Sequence, residues 1–148
     1  MKVRITLILA LLILPANALA SFSDVLPTHP YFDAIEWAKT LVVPAPTPNP
    51  KLLIEGYQDG TFRPDNTINR AEFMKIVIDA NQKNLGGYSG ISITTFFPDV
   101  PQGVWYQQHL ASAKNMGIVS GYPDGYFRPE NSISFAEAAK IIVNAKEV

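Results

Sequence analysis

Apolar residues recur at helical spacing in four stretches of the chain. Ile35, Ala38 and Val42 keep step from Tyr31 to about Leu41, and Tyr106, Leu110 and Ala113 do the same to about Met116. That period predicts two amphipathic helices. Two further stretches, to about Ala80 and Ala145, are apolar nearly all round. In the first, Ala71, Phe73, Met74, Ile76, Val77, Ile78 and Ala80 leave only Glu72, Lys75 and Asp79 as charges. A helix of this kind needs neighbours on several sides. Both have a legible start: Asn69-x-x-Glu72 and Ser134-x-x-Glu137 fit the capping box, in which an N-cap oxygen and a carboxylate three residues on satisfy two of the helix's free N–H groups. Glu72, Ser134 and Glu137 are therefore expected to act as structural caps in a mainly α protein.

A different apolar run opens the chain. Lys2 and Arg4 precede a hydrophobic stretch from Ile5 to Leu14 with Thr6 as its one polar residue, Pro15 interrupts it, and Ala18-Leu19-Ala20 supplies small residues in the spacing that signal peptidase reads. Residues 1–20 are predicted to be a cleaved secretory signal peptide. The run is too short to cross about 30 Å of hydrocarbon comfortably, so no membrane span is expected after cleavage.

The rest of the chain repeats itself. Gly56-Tyr57-Gln58-Asp59-Gly60-Thr61-Phe62-Arg63-Pro64 returns 65 residues later as Gly121-Tyr122-Pro123-Asp124-Gly125-Tyr126-Phe127-Arg128-Pro129, and 14 of the 25 positions from Gly56 to Ala80 are identical in Gly121–Ala145. Upstream the offset is 75, pairing Phe22-Ser23-Asp24-Val25 with Phe97-Pro98-Asp99-Val100. The ten-residue difference falls at 43–52, where Pro44, Pro46, Pro48 and Pro50 exclude regular helix or inner strand and predict an extended, solvent-facing loop. Gly86, Gly87 and Gly90 mark 81–95 as a flexible connector. Two repeats follow, 21–80 with the insertion and 96–148, each a helix–loop–helix. Asp-Gly at 59–60 and 124–125 signals a turn, and Arg-Pro at 63–64 and 128–129 predicts extended backbone before the second helix. Repeats of this kind stabilise each other by stacking, so the two second helices are expected to share a core.

Composition narrows the function. There is no cysteine, hence no disulfide, thiolate metal site or cysteine nucleophile. Removing Lys2 and Arg4 with the leader leaves 10 basic against 13 acidic residues, a balance that argues against nucleic-acid binding. His29 and His109 stand in no metal-ligand spacing. The Asp-Gly loops are not calcium loops, because the twelfth position from Asp59 is Arg70 and the odd positions carry Thr61 and Arg63. No nucleophile–base constellation is present. Neither an enzyme, a metal nor a cofactor is expected.

F-x-D-V, then an aromatic-led helix ending in Gly117-Ile118-Val119-Ser120-Gly121-Tyr122-Pro123-Asp124-Gly125, then Phe127-Arg128-Pro129 and I-[ST]-x-A-E, resembles the S-layer homology (SLH) domain. The resemblance implies a pseudo-symmetric helical bundle, usually of three repeats, on a secreted protein of the bacterial cell wall or S-layer. It further implies non-covalent anchoring through secondary cell-wall polysaccharide, often pyruvylated, or another peptidoglycan-linked glycan held between repeats. The chain supplies two repeats, which either pack together as a pseudo-dimer or are completed by a third repeat of a longer chain or by a partner copy. The alternative is a surface-layer or protein–protein assembly module without a glycan site of its own.

The family's T-R-A-E motif falls on Asn69-Arg70-Ala71-Glu72, which makes Arg70 the candidate ligand for an acidic sugar; in the second repeat Phe135 takes the arginine's place. A cation in a helix's first turn opposes the helix dipole, and a bound anion reverses that sign. The competing role for Arg70 is a salt bridge to a nearby carboxylate such as Asp65. Asn69, Asp59, Gly60, Thr61, Asp124 and Gly125 are further candidate glycan contacts, with turn chemistry as their structural explanation. Arg63 and Arg128 are read as braces between loop and helix. Trp37, Trp105, Tyr57 and Tyr122 occupy positions that favour core or interface packing over a sugar platform.

Overall fold

The computed structural model describes residues 21–43, 51–81 and 97–147. The leader at 1–20, the prolines of the insertion at 44–50 and the connector at 82–95 lie outside them. The described chain is mainly helical, with α1 (Phe32–Lys39), α2 (Arg70–Ala80), α3 (Gln107–Asn115) and α4 (Phe135–Lys146). The first helix of each repeat is shorter than its apolar spacing predicts. Tyr31 and Tyr106 stand at the N-caps, and α1 stops where Thr40 turns its N–H and its hydroxyl back onto the Trp37 carbonyl at 2.9 and 2.7 Å. A short antiparallel ladder brackets the proline-rich insertion: β1 (Val42–Val43) pairs with β2 (Lys51–Leu52) in the register Val42↔Leu52 and Val43↔Lys51. Val43, read from sequence as loop, is buried. It is β-branched, has a free backbone N–H and precedes the first proline, so nothing prevents it from pairing.

Both second helices open with complete capping boxes. The Asn69 side chain accepts from the Glu72 N–H while Glu72 accepts from the Asn69 N–H, and Ser134 and Glu137 repeat the arrangement. Burial is unequal between the two. Ala71, Met74, Val77 and Ile78 of α2 are buried against Leu110 and Ala113 of α3 and Ile141 and Ala145 of α4, with Phe97, Ile118 and Phe127 closing the same cluster. α2 packs on two helices. On α4, by contrast, Phe135, Ile142 and Val143 are exposed. The start of the chain forms a separate small cluster of Phe22, Val25 and Ile35, flanked by Phe32, Ile54 and Phe62.

The F-x-D-V turn has a job that its sequence does not reveal. Asp24 accepts from the N–H groups of Phe62 and Arg63 at 2.8 and 2.6 Å, and Asp99 accepts from Phe127 and Arg128 at 3.0 and 2.6 Å. Two charge-assisted bonds of this kind are strong, and backbone donation holds the Asp24 carboxyl below its ordinary value. They impose an unusual backbone. Arg63 and Arg128 lie at φ 61° and 55°, in the left-handed region and not in the extended form that a following proline favours. The conformation costs about 1 kcal/mol or more per residue, which the carboxylate bonds offset. Gly56 and Gly121 complete the closure. A Cβ on Gly121 would stand 2.5 Å from the Phe97 ring and 3.0 Å from the Tyr126 carbonyl oxygen, and one on Gly56 would stand 2.3 Å from Phe22 and 2.7 Å from the Thr61 carbonyl oxygen.

Candidate functional site

The two halves of the chain meet along a seam that starts at the first turn of α2. Arg70 and Ala71 donate their backbone N–H groups to the carbonyls of Asn131 and Pro129, both at 3.0 Å, and Ile133 donates to the Ile68 carbonyl at 3.2 Å. Thr67 and Ser132 share a hydroxyl bond of 3.0 Å. The free N–H groups of one helix start are thus satisfied by the loop of the other repeat.

Arg70 follows its backbone across the seam. Its side chain is 7% exposed, Nε donates to the Phe127 carbonyl at 2.9 Å, and Nη1 donates to Glu137 Oε1 at 3.1 Å. The guanidinium carbon sits 4.7 Å from the Tyr122 ring centroid and 4.9 Å from that of Phe127, a cation–π arrangement with two faces. The carboxylate that pairs with Arg70 is therefore Glu137 and not Asp65, which instead stands 3.6 Å from His29. Glu137 is also the acceptor of the Tyr122 hydroxyl and of the Ser134 N–H and hydroxyl. These bonds, the tyrosine's first, and the nearby Arg70 charge lower its pKa from 4.5 to about 2. The same tyrosine bond raises the pKa of Tyr122.

A cleft of about 240 Å³ opens beside this network, lined by Arg70 from the first repeat and by Val119, Gly121, Tyr122, Glu137 and Lys140 from the second. Its walls thus come from both halves. The corresponding loop of the first repeat lines a wider cleft of about 570 Å³, where Gly56, Tyr57, Glu72 and Lys75 take the places of Gly121, Tyr122, Glu137 and Lys140, and Trp105 forms part of the wall. There Tyr57 donates to Glu72 at 3.0 Å. Phe135, which occupies in α4 the place Arg70 holds in α2, is 91% exposed and contributes to neither cleft.

The remaining residues singled out in the sequence lie elsewhere. Asn69 caps α2 and reaches Glu130 at 3.4 Å. Asp59 accepts from the N–H and hydroxyl of Thr61 and from Arg63, which bring its pKa to about 2, and Asp124 accepts from the Tyr126 N–H and pairs with Arg128. Asp59, Gly60, Thr61, Asp124 and Gly125 form turns outside both cleft linings, all exposed but the half-buried Thr61. Arg63 and Arg128 lie over the rings of Tyr57 and Tyr122 at 3.9 and 4.4 Å. Trp37 and Trp105 are 65% and 56% exposed, against the packing role that their spacing suggests. Sequence reasoning missed Gly121, Tyr122 and Lys140 as lining of a shared cleft; the signal lay in comparing equivalent positions 65 residues apart.

The S-layer homology domain family matches this sequence over residues 51–74 and 96–139, which take in the loops, both capping boxes and the seam. The chain carries the S-layer homology domain. Cell surface glycoprotein 1 of Acetivibrio thermocellus is 33% identical over 137 residues, covering 89% of this chain and 6% of that protein. The cellulosome-anchoring protein of the same organism is 32% identical over 131 residues, 88% of this chain and 27% of the relative. A surface layer protein of Brevibacillus choshinensis is 36% identical over 93 residues, 63% of this chain and 8% of the relative. No solved structure matches. The S-layer homology chain is thus a secreted, cell-surface protein, and it spans between 6% and 27% of the length of these relatives. Among the described residues no helix is long and apolar enough to cross a membrane.

Proposed function

We propose that this S-layer homology chain is a non-covalent cell-wall anchor that binds secondary cell-wall polysaccharide, pyruvylated or otherwise acidic, or another peptidoglycan-linked glycan, and catalyses nothing itself. In this reading a leader at 1–20 is removed on export, and two repeats, 21–80 with the insertion at 43–52 and 96–148, are joined by the connector at 81–95. The repeats form a pseudo-symmetric helical bundle. The observation that carries the reading is the smaller cleft. It sits between the two halves and is lined by Tyr122, Gly121 and Arg70, whose Nη2 has no protein partner among the described residues. A planar guanidinium with a free edge beside an aromatic ring suits a sugar that bears a carboxylate. Names among the relatives, a cellulosome-anchoring protein and a surface layer protein, support the same role. Asn69 holds the helix start that delivers Arg70. Asp59, Gly60, Thr61, Asp124 and Gly125 keep the neighbouring turns in shape and touch the glycan only at the margin of a longer chain of sugars.

The exposed apolar residues of α4, Phe135, Ile142 and Val143, support a second element of the reading, that a third repeat or a partner copy covers this face. Co-sedimentation of the purified chain with isolated A. thermocellus cell walls, before and after chemical removal of the wall polysaccharide, tests the anchor. Binding is expected only to walls that retain the polysaccharide, and is expected to fall with Arg70→Lys, which keeps the charge and loses the fork. Equal binding to stripped walls sinks the proposal in favour of protein–protein assembly.

A further inference from the structure

The two clefts share a lysine at equivalent positions, one turn beyond the capping glutamate, yet the lysines are in different states. Lys75 is paired with Asp79 at 3.1 Å, its side chain is 17% exposed, and Asp79 also meets His109 at 3.0 Å. The equivalent of Asp79 is Asn144. Its side-chain amide donates to the Ile118 carbonyl at 3.0 Å and offers Lys140 no charge. Lys140 is exposed, lines the smaller cleft, and has no ion pair or hydrogen bond among the described residues.

The charge balance of the clefts follows. In the smaller one Arg70 is neutralised by Glu137, which leaves Lys140 as an uncompensated positive charge. In the wider one both lining cations are already paired, Arg63 with Asp59 at 2.9 Å and Lys75 with Asp79, while Glu72 forms no ion pair among the described residues. An anion entering the wider cleft meets a carboxylate without a counter-charge. One entering the smaller cleft meets a free ammonium beside a guanidinium edge.

We propose that Lys140 is the residue that selects an acidic substituent on the glycan, and that the exchange of Asp79 for Asn144 between the repeats confines this selection to the cleft that Arg70 completes. The proposal rests on the anchor reading and assigns its charge recognition to a position outside the T-R-A-E-like motif. Arg70 supplies direction and Lys140 supplies net charge. A carboxylate bridging the two loses its shell of water only where both donors face it, whereas a neutral sugar gains nothing from the ammonium.

The test uses the full chain and two probes: A. thermocellus walls with their polysaccharide, and the same walls after their carboxyl groups have been converted to amides with carbodiimide and ammonia. Three variants are compared with wild type: Lys140→Gln, Asn144→Asp, which recreates the Lys75–Asp79 pair, and Lys146→Gln, which removes a charge from the same helix outside the cleft. Expected are binding about tenfold weaker for Lys140→Gln and for Asn144→Asp, no change for Lys146→Gln, and loss of the difference between Lys140→Gln and wild type on amidated walls. Wild-type binding that survives amidation, or that Lys140→Gln leaves intact, overturns the assignment of Lys140 and leaves the anchor standing. If wild type binds neither kind of wall, both the anchor and the assignment fall. Circular dichroism of each variant identifies any loss of binding that comes from unfolding, and for Lys140→Gln the rescue variant Lys140→Arg is expected to restore binding.

Discussion

The two clefts are built on the same 25-residue frame, and they differ in what each borrows from the other half of the molecule: the wider takes the Trp105 indole, the smaller the Arg70 guanidinium. Tyr122 and Glu137 in the smaller cleft have the same mutual bond as Tyr57 and Glu72 in the wider one. Only the smaller receives a guanidinium, delivered across the seam by α2. The lesson is that the site belongs to the junction between repeats. A repeat provides a loop and a cap, its neighbour provides the cation, and neither alone is a complete site.

The sharpest way to break the comparison is to remove the borrowed side chain. Arg70→Ala deletes the bonds to Phe127 and Glu137 and empties the nearly buried space beside the Tyr122 and Phe127 rings, so a loss of about 3 kcal/mol is expected. Phe135→Ala, at the equivalent but exposed place, is expected to change stability by less than about 0.5 kcal/mol. Urea denaturation of both variants checks the pair. Equal midpoints would mean that the seam contributes no stability.

A smaller effect is expected from the closing glycines. Gly121→Ala places a methyl group against Phe97 in the main core at a positive φ, with an expected cost of about 2 kcal/mol. Gly56→Ala meets Phe22 in the minor cluster at closer range, but fewer buried residues surround that cluster and it has more freedom to yield. The thermal midpoint is expected to fall further for the former, and the reverse order would show that the minor cluster is the more rigid of the two.

The smallest expected effect is electrostatic. Glu137 has a folded-state pKa of about 2 against an ordinary 4.5. A depressed carboxylate contributes stability that is present in full above the unfolded pKa and is lost as pH falls through the folded one. Between pH 4.5 and 2 the wild type is expected to lose this contribution progressively, and Glu137→Gln to show a flatter profile in that window. The check is a series of denaturation curves across it, and parallel profiles would remove Glu137 from the seam's electrostatics.

Much of this architecture was legible in the sequence. The 65-residue echo announced two equivalent loops, and Asn69-x-x-Glu72 and Ser134-x-x-Glu137 announced the caps at the helix starts. Arg70 could be singled out because the T-R-A-E motif of the family that the chain resembles falls on Asn69-Arg70-Ala71-Glu72. Its partner could not, since Glu137 lies 67 residues away and is reached only after the seam has formed. The backbone of Arg63 and Arg128 was misread for a related reason: the rule for residues before proline is local, and the carboxylates of Asp24 and Asp99 that override it come from the start of each repeat. Lys140 was overlooked because a lone lysine on a helix is unremarkable until it is compared with Lys75, whose carboxylate partner four residues on is missing from the second repeat.

The placement of α2 sets the unit of cooperativity apart from the unit of repetition. In sequence α2 ends the first repeat, yet its buried face is shared with α3 and α4, while the opening turn and α1 gather around a cluster of their own. Among the described elements, α2, α3 and α4 are therefore expected to open and close together, with the opening turn and α1 held less closely, through the Asp24 bonds. Amide protons in α2 are expected to exchange with solvent on the timescale of α3 and α4, and those of α1 faster. Seen this way, the chain is one and a half folding units that happen to be written as two repeats.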